Sequence, residues 1–168
     1  MQNNAILINA LRFILLVFLQ VLLLNHLNFL GYINPYIYIL FILLYPLSGN
    51  KGLLIFLSFL LGFSIDIFGD SGGVHAAASV FIAYIRPWIL KFSFGISYEH
   101  NNIKLYKTSL AQQFSYVVAM VFLHHIILFT LEIFNLSHIL LILKSTLFSG
   151  IFSIILLMSI LILFSRKN

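Results

Sequence analysis

Apolar runs long enough to cross a lipid bilayer follow one another along almost the whole chain. "LRFILLVFLQVLLLN" (11–25) and "SGIFSIILLMSILILF" (149–164) are typical. Only 8% of the 168 residues are charged and 62% are hydrophobic. A soluble domain of this size carries about 25% charged residues. Such a surface cannot be wetted, so the chain belongs in a bilayer. Its length allows one domain, 1–168. With no cysteine, disulfides, thiolate catalysis and Cys-ligated metals are excluded.

A span needs about 20 apolar residues, fewer where neighbours shield its ends. The pattern predicts an all-α integral membrane protein with six transmembrane helices, near 10–29, 35–47, 52–69, 73–92, 111–134 and 138–164. The first run reads as a retained helix and not a signal peptide, since "LLLNHLNFLGYINP" offers no small-residue cleavage site. The second begins at Pro35, a residue suited to a first helical turn. Pro87 predicts a kink in the fourth.

Six spans put both termini on one side. With the termini inside, Arg12, Lys51, Arg86, Lys91, Lys104, Lys107, Arg166 and Lys167 fall on the inner side and Lys144 alone on the outer. This bias predicts cytoplasmic termini. It also explains the net charge of +5 without nucleic acid. Arg12 and Arg86 lie within helices and are expected to snorkel inward. Arg86, Lys91, Lys104 and Lys107 form a cytoplasmic basic set suited to anionic lipids.

Asp66, Asp70 and Glu132 fall on the outer side, the first two of them in "SIDIFGDSGGVHAAAS" (64–79). Asp66 and Asp70 have the i, i+4 spacing of a cation site, but Gly69 suggests that the helix ends between them. A lone pair of carboxylates is also a poor ligand set for a hard cation, so no metal is expected. The structural alternative is a hairpin clasp. Asp66 reaches the free amides around Gly72, Gly73 and Val74, or His75. Asp70 or Ser71 serves as N-cap of the fourth helix. Ala76, Ala77, Ala78 and Ser79 give that helix a small-residue face.

Other polar groups point to no reaction. His124 and His125 are adjacent, so their side chains diverge by about 100° on a helix. One is expected to meet Tyr, Ser or Gln side chains and the other the headgroup region. Glu132 and Lys144 flank one outer loop, and form either an outer charge pair or two snorkelling charges. Ser149 and Gly150 read as a close helix contact. No catalytic residue and no cofactor is expected.

The order of these features carries a resemblance. "NPYIYILFILLYPL" (34–47) precedes "GFSIDIFGDSGGVHAAASVFIAYIRP" (62–87). Gly62, Asp66, Gly73, Val74, His75 and Ala76 follow in order the pattern of the rod shape-determining protein MreD family, which the chain resembles over nearly its whole length. Ala77 departs from the Leu common there. The resemblance implies a non-enzymatic scaffold of the bacterial inner membrane, in the cell-elongation complex that governs rod cell shape and peptidoglycan synthesis. It implies an MreC-like partner directly, and MreB, RodA and a class B penicillin-binding transpeptidase indirectly. The family fold is similar to the S component of energy-coupling-factor transporters, so a small-solute-binding transporter subunit is the alternative.

Overall fold

The computed structural model describes residues 2–27, 33–47, 49–95, 105 and 108–165, and every regular element among them is helical. In chain order these are α1 (Gln2–Leu22), α2 (Ile39–Leu44), α3 (Lys51–Gly69), α4 (Val74–Phe94), α5 (Leu110–Ile133) and α6 (Ile139–Ser165). Among the described residues, four stretches are long and apolar enough to cross a membrane: Leu7–His26, Lys51–Gly69, Leu110–Ile133 and Ile139–Leu163. α4 has 21 residues, but His75, Arg86 and Lys91 make it less apolar. It is packed between α3 and α5, and α5 in turn packs on α6.

The expected helix over 35–47 is not one span. Its helical part, α2, has six residues, or about 9 Å at 1.5 Å per residue, against a hydrocarbon core of about 30 Å. The residues before it make hydrogen bonds to side chains instead of to a helical ladder. Asn34 N–H donates to Ser149 Oγ at 3.1 Å and Tyr36 N–H to Ser153 Oγ at 2.9 Å, both on α6. Gln20 of α1 is fully buried and serves both polarities. Its Nε2 donates to Pro35 O at 3.1 Å, and its Oε1 accepts from Ile37 N–H at 2.9 Å. Non-helical backbone survives inside a bilayer protein only where protein groups satisfy it in this way. α2 ends at Tyr45, whose ψ of 139° is the extended conformation imposed by a following proline, here Pro46. Five of the six α2 side chains are buried, so this short helix is the centre of the core.

The other helices owe their ends to local chemistry. Asn50 caps α3 by accepting from Leu53 N–H at 3.0 Å. Ser109 and Gln112 form a reciprocal capping box at the start of α5. α4 runs through Pro87 as one helix.

α3 and α4 form a very close hairpin. A Cβ at Gly62 would fall on the His75 carbonyl and the Ala76 Cα, which are backbone atoms with no room to yield. Ala76, Ala78 and Ser79 are buried on this side of α4, whereas Ala77 is exposed and leaves the expected small-residue face. Gly62→Ala is therefore expected to destabilise by about 1–3 kcal/mol, the usual cost of overpacking. Thermal unfolding in mild detergent measures it. An unchanged midpoint would mean that the two backbones do not approach this closely.

Candidate functional site

The chain between α3 and α4 turns in three residues with positive φ: Asp70 at 50°, Gly72 at 68° and Gly73 at 96°. Two glycines make this turn inexpensive, since they lack the Cβ that crowds left-handed backbone. The turn brings the first amides of α4 over the side chain of Asp66, which is 4% exposed. Asp66 Oδ1 accepts from His75 N–H at 3.1 Å and from Ser71 Oγ–H at 2.5 Å. Its Oδ2 accepts from Ala76 N–H at 2.8 Å. The carboxylate thus sits at the positive end of α4, where a negative charge is favoured.

The clasp falls on His75, the alternative that the sequence offered, and on the next residue, Ala76, instead of on the amides of Gly72, Gly73 and Val74. Asp70 is not an N-cap. It is the left-handed closing residue of α3, its N–H donating to Asp66 O. Gly73 stands at the N-cap position, with no side-chain cap. Ser71 serves the hairpin through Asp66. Asp66 and Asp70 therefore take separate structural positions on either side of the helix end.

Beneath the clasp lies a set of buried rings. Tyr38 Oη is 2.9 Å from His75 Nδ1 and 2.7 Å from His124 Nε2. A phenol has one hydrogen, so one imidazole accepts from Tyr38 and the other donates to it. His125 Nδ1 lies 2.8 Å from Val121 O. A carbonyl only accepts, so Nδ1 carries a hydrogen. The 3.3 Å contact of Ser153 Oγ to His125 Nε2 then has serine as donor. The Tyr36 ring meets all three histidines at centroid distances of 5.2–6.2 Å.

Neither His124 nor His125 faces the headgroup region, and both are 0% exposed. α5 is covered by α4 on one side and α6 on the other, so side chains diverging by about 100° both meet protein. Among the described residues, no three His, Asp or Glu side chains are arranged to hold a metal ion. Tyr38→Phe leaves two imidazole nitrogens unpaired and is expected to cost about 1–2 kcal/mol. A detergent melt of the variant checks this, and full wild-type stability would refute the bridge.

A pocket of about 380 Å³ opens beside this core. Its walls come from Val21 and Leu22 at the end of α1 and Asn25 and His26 after it, from Asn34 and Tyr36, from Phe68, Gly69 and Ser71 at the turn, and from His75 and Glu132. Glu132, exposed at the end of α5, is thus part of the pocket wall. Lys144 is exposed in the early turns of α6.

The second polar cluster lies eleven residues along α4 from His75, or about 17 Å at 1.5 Å per residue. Arg86 does not snorkel. It is 4% exposed, with Nε donating to Tyr116 Oη at 2.8 Å and one terminal nitrogen to Tyr45 O at 2.5 Å and Leu43 O at 3.4 Å. Arg12 donates to the intervening Leu44 O at 3.4 Å and to Asn9 Oδ1 at 3.4 Å. Two arginines thus satisfy the carbonyl end of α2, where cations are favoured. Lys91 is exposed in the last turn of α4. Lys104 and Lys107, with Arg166 and Lys167, lie outside the described residues.

Sequence reasoning did not single out Gln20, Tyr36, Tyr38 or Ser153. Their signal was present, since each is a hydrogen-bonding group inside an otherwise apolar run. Compared with protein-family models, with curated proteins and with solved structures, the chain matches none.

Proposed function

We propose that this protein is an inner-membrane scaffold of the MreD type. It crosses the membrane with six segments, α2 and its non-helical lead-in serving as the second and α4 as the fourth, and holds both termini in the cytoplasm. It binds an MreC-like partner, and through it serves MreB, RodA and a class B penicillin-binding transpeptidase in cell-wall elongation. The observation that carries this reading is the common physical role of the resembling residues. Gly62 permits the α3–α4 approach, Gly73 makes the turn, and Asp66 holds the amides of His75 and Ala76. A motif whose members all build one rigid hairpin suits a part that positions partners.

The test is co-purification with an MreC-like protein from the native membrane in mild detergent, together with depletion. Retention of the partner and loss of rod shape are expected. Unchanged shape and wall insertion on depletion would reject the scaffold. The pocket beside His75 favours a second reading, a solute-binding transporter subunit. That reading requires a water-soluble compound to co-purify in stoichiometric amount.

A further inference from the structure

The pocket beside the clasp has a composition that restricts its occupant. Its described lining contains one carboxylate, Glu132, and no Lys or Arg. A free anion is disfavoured there, and a cationic group is favoured. Asn34 lines the pocket, and its Oδ1 is buried without a hydrogen-bond partner. An N–H donor is what that oxygen lacks.

The pocket also offers donors. Asn25 Oδ1 is occupied by Gln20 Nε2 at 2.9 Å, which turns the Asn25 amide so that its NH₂ is the group left for a ligand. His75 uses Nδ1 on Tyr38. His124 Nδ1 is buried without a partner. A bare lone pair there costs less than a stranded N–H, so His124 Nε2–H donates to Tyr38 and Tyr38 donates to His75 Nδ1. Neutral His75 then carries its hydrogen on Nε2. The site presents a carboxylate and an amide oxygen together with N–H donors, which is complementary to a zwitterion.

The walls indicate where such a group comes from. Leu22 and Phe68 line the pocket while remaining 61% and 68% exposed. The polar floor is therefore continuous with the apolar surface that acyl chains cover. A pocket serving a water-borne solute has no need of that sideways opening.

We propose that this pocket binds a phosphoethanolamine group carried by a membrane phospholipid. The primary ammonium sits against Glu132 and Asn34 Oδ1, the phosphate against Asn25 and His75, and the acyl chains leave past Leu22 and Phe68. Recognition depends on N–H bonds from the ammonium, so a quaternary choline group is rejected. The inference does not rest on the scaffold reading, since a lipid site is compatible with any membrane role.

The test uses the full chain in bilayers of equal parts phosphatidylethanolamine, phosphatidylcholine and phosphatidylglycerol, followed by gentle extraction and native mass spectrometry. Phosphatidylethanolamine is expected to be retained over phosphatidylcholine by about tenfold, the scale of one charge-assisted hydrogen bond. Glu132→Gln, at an exposed position, should fold normally and lose that preference. Equal retention of the three lipids, or an unchanged preference in Glu132→Gln, would overturn the site. Soluble phosphoethanolamine that displaces the lipid at micromolar concentration would overturn the lipid source. Failure of the MreC-like partner to co-purify leaves these outcomes unaffected.

Discussion

Asp66→Ala is expected to destabilise the protein by about 3–5 kcal/mol, because it strands buried donors that had a charged acceptor. Three donors converge on this one carboxylate: the amides of His75 and Ala76 and the hydroxyl of Ser71. Asp66→Asn should retain part of the stability. Its single carbonyl oxygen can keep one side of the clasp, but its NH₂ then faces a second N–H. Asp70→Gly provides the contrast, since Asp70 holds φ 50° and glycine relieves that conformation. It should be neutral or stabilising by up to about 1 kcal/mol. Unfolding in mixed detergent and SDS measures all three. Equal losses at 66 and 70 would mean that the two carboxylates act as a pair, contrary to the clasp.

The clasp was legible in the sequence because its parts are local. A carboxylate one turn before Gly69, a run of glycines and a small-residue helix start lie within fifteen residues, and each has its own backbone logic. The precise amides were not legible, since they depend on how far α4 winds before it crosses Gly62. α2 was misread for the opposite reason. "IYILFILL" has the hydropathy of a span, and nothing within it stops a helix before Tyr45. What holds its lead-in out of the helix is Gln20, Ser149 and Ser153, the serines more than a hundred residues away. Hydropathy also assigns every arginine to the membrane surface. Arg86 escapes that rule only because α2 stops short and leaves carbonyls inside the protein.

That last dependence predicts the second large effect. Arg86→Met keeps most of the side-chain volume but removes every donor. It should cost about 2–4 kcal/mol through unpaired buried acceptors. The loss is smaller than for Asp66→Ala because Tyr116 Oη–H also reaches Leu43 O, at 3.4 Å, and keeps one carbonyl partly served. Tyr45 O has no such substitute from Tyr116, so the effect should fall on the α2 end. Removing the guanidinium also relieves the burial of a charge, which offsets part of the penalty. Arg86→Lys is a sharper test. One ammonium can reach a carbonyl, but it cannot reproduce the planar fork between Tyr116 and Tyr45. Its stability should fall between wild type and Arg86→Met. Lys91→Ala, exposed five residues later on the same helix, should change stability by less than about 0.5 kcal/mol. If Arg86 were a snorkelling surface charge, Arg86→Met and Lys91→Ala would melt alike. A gap between them ties the interior arginine to the short helix that it completes.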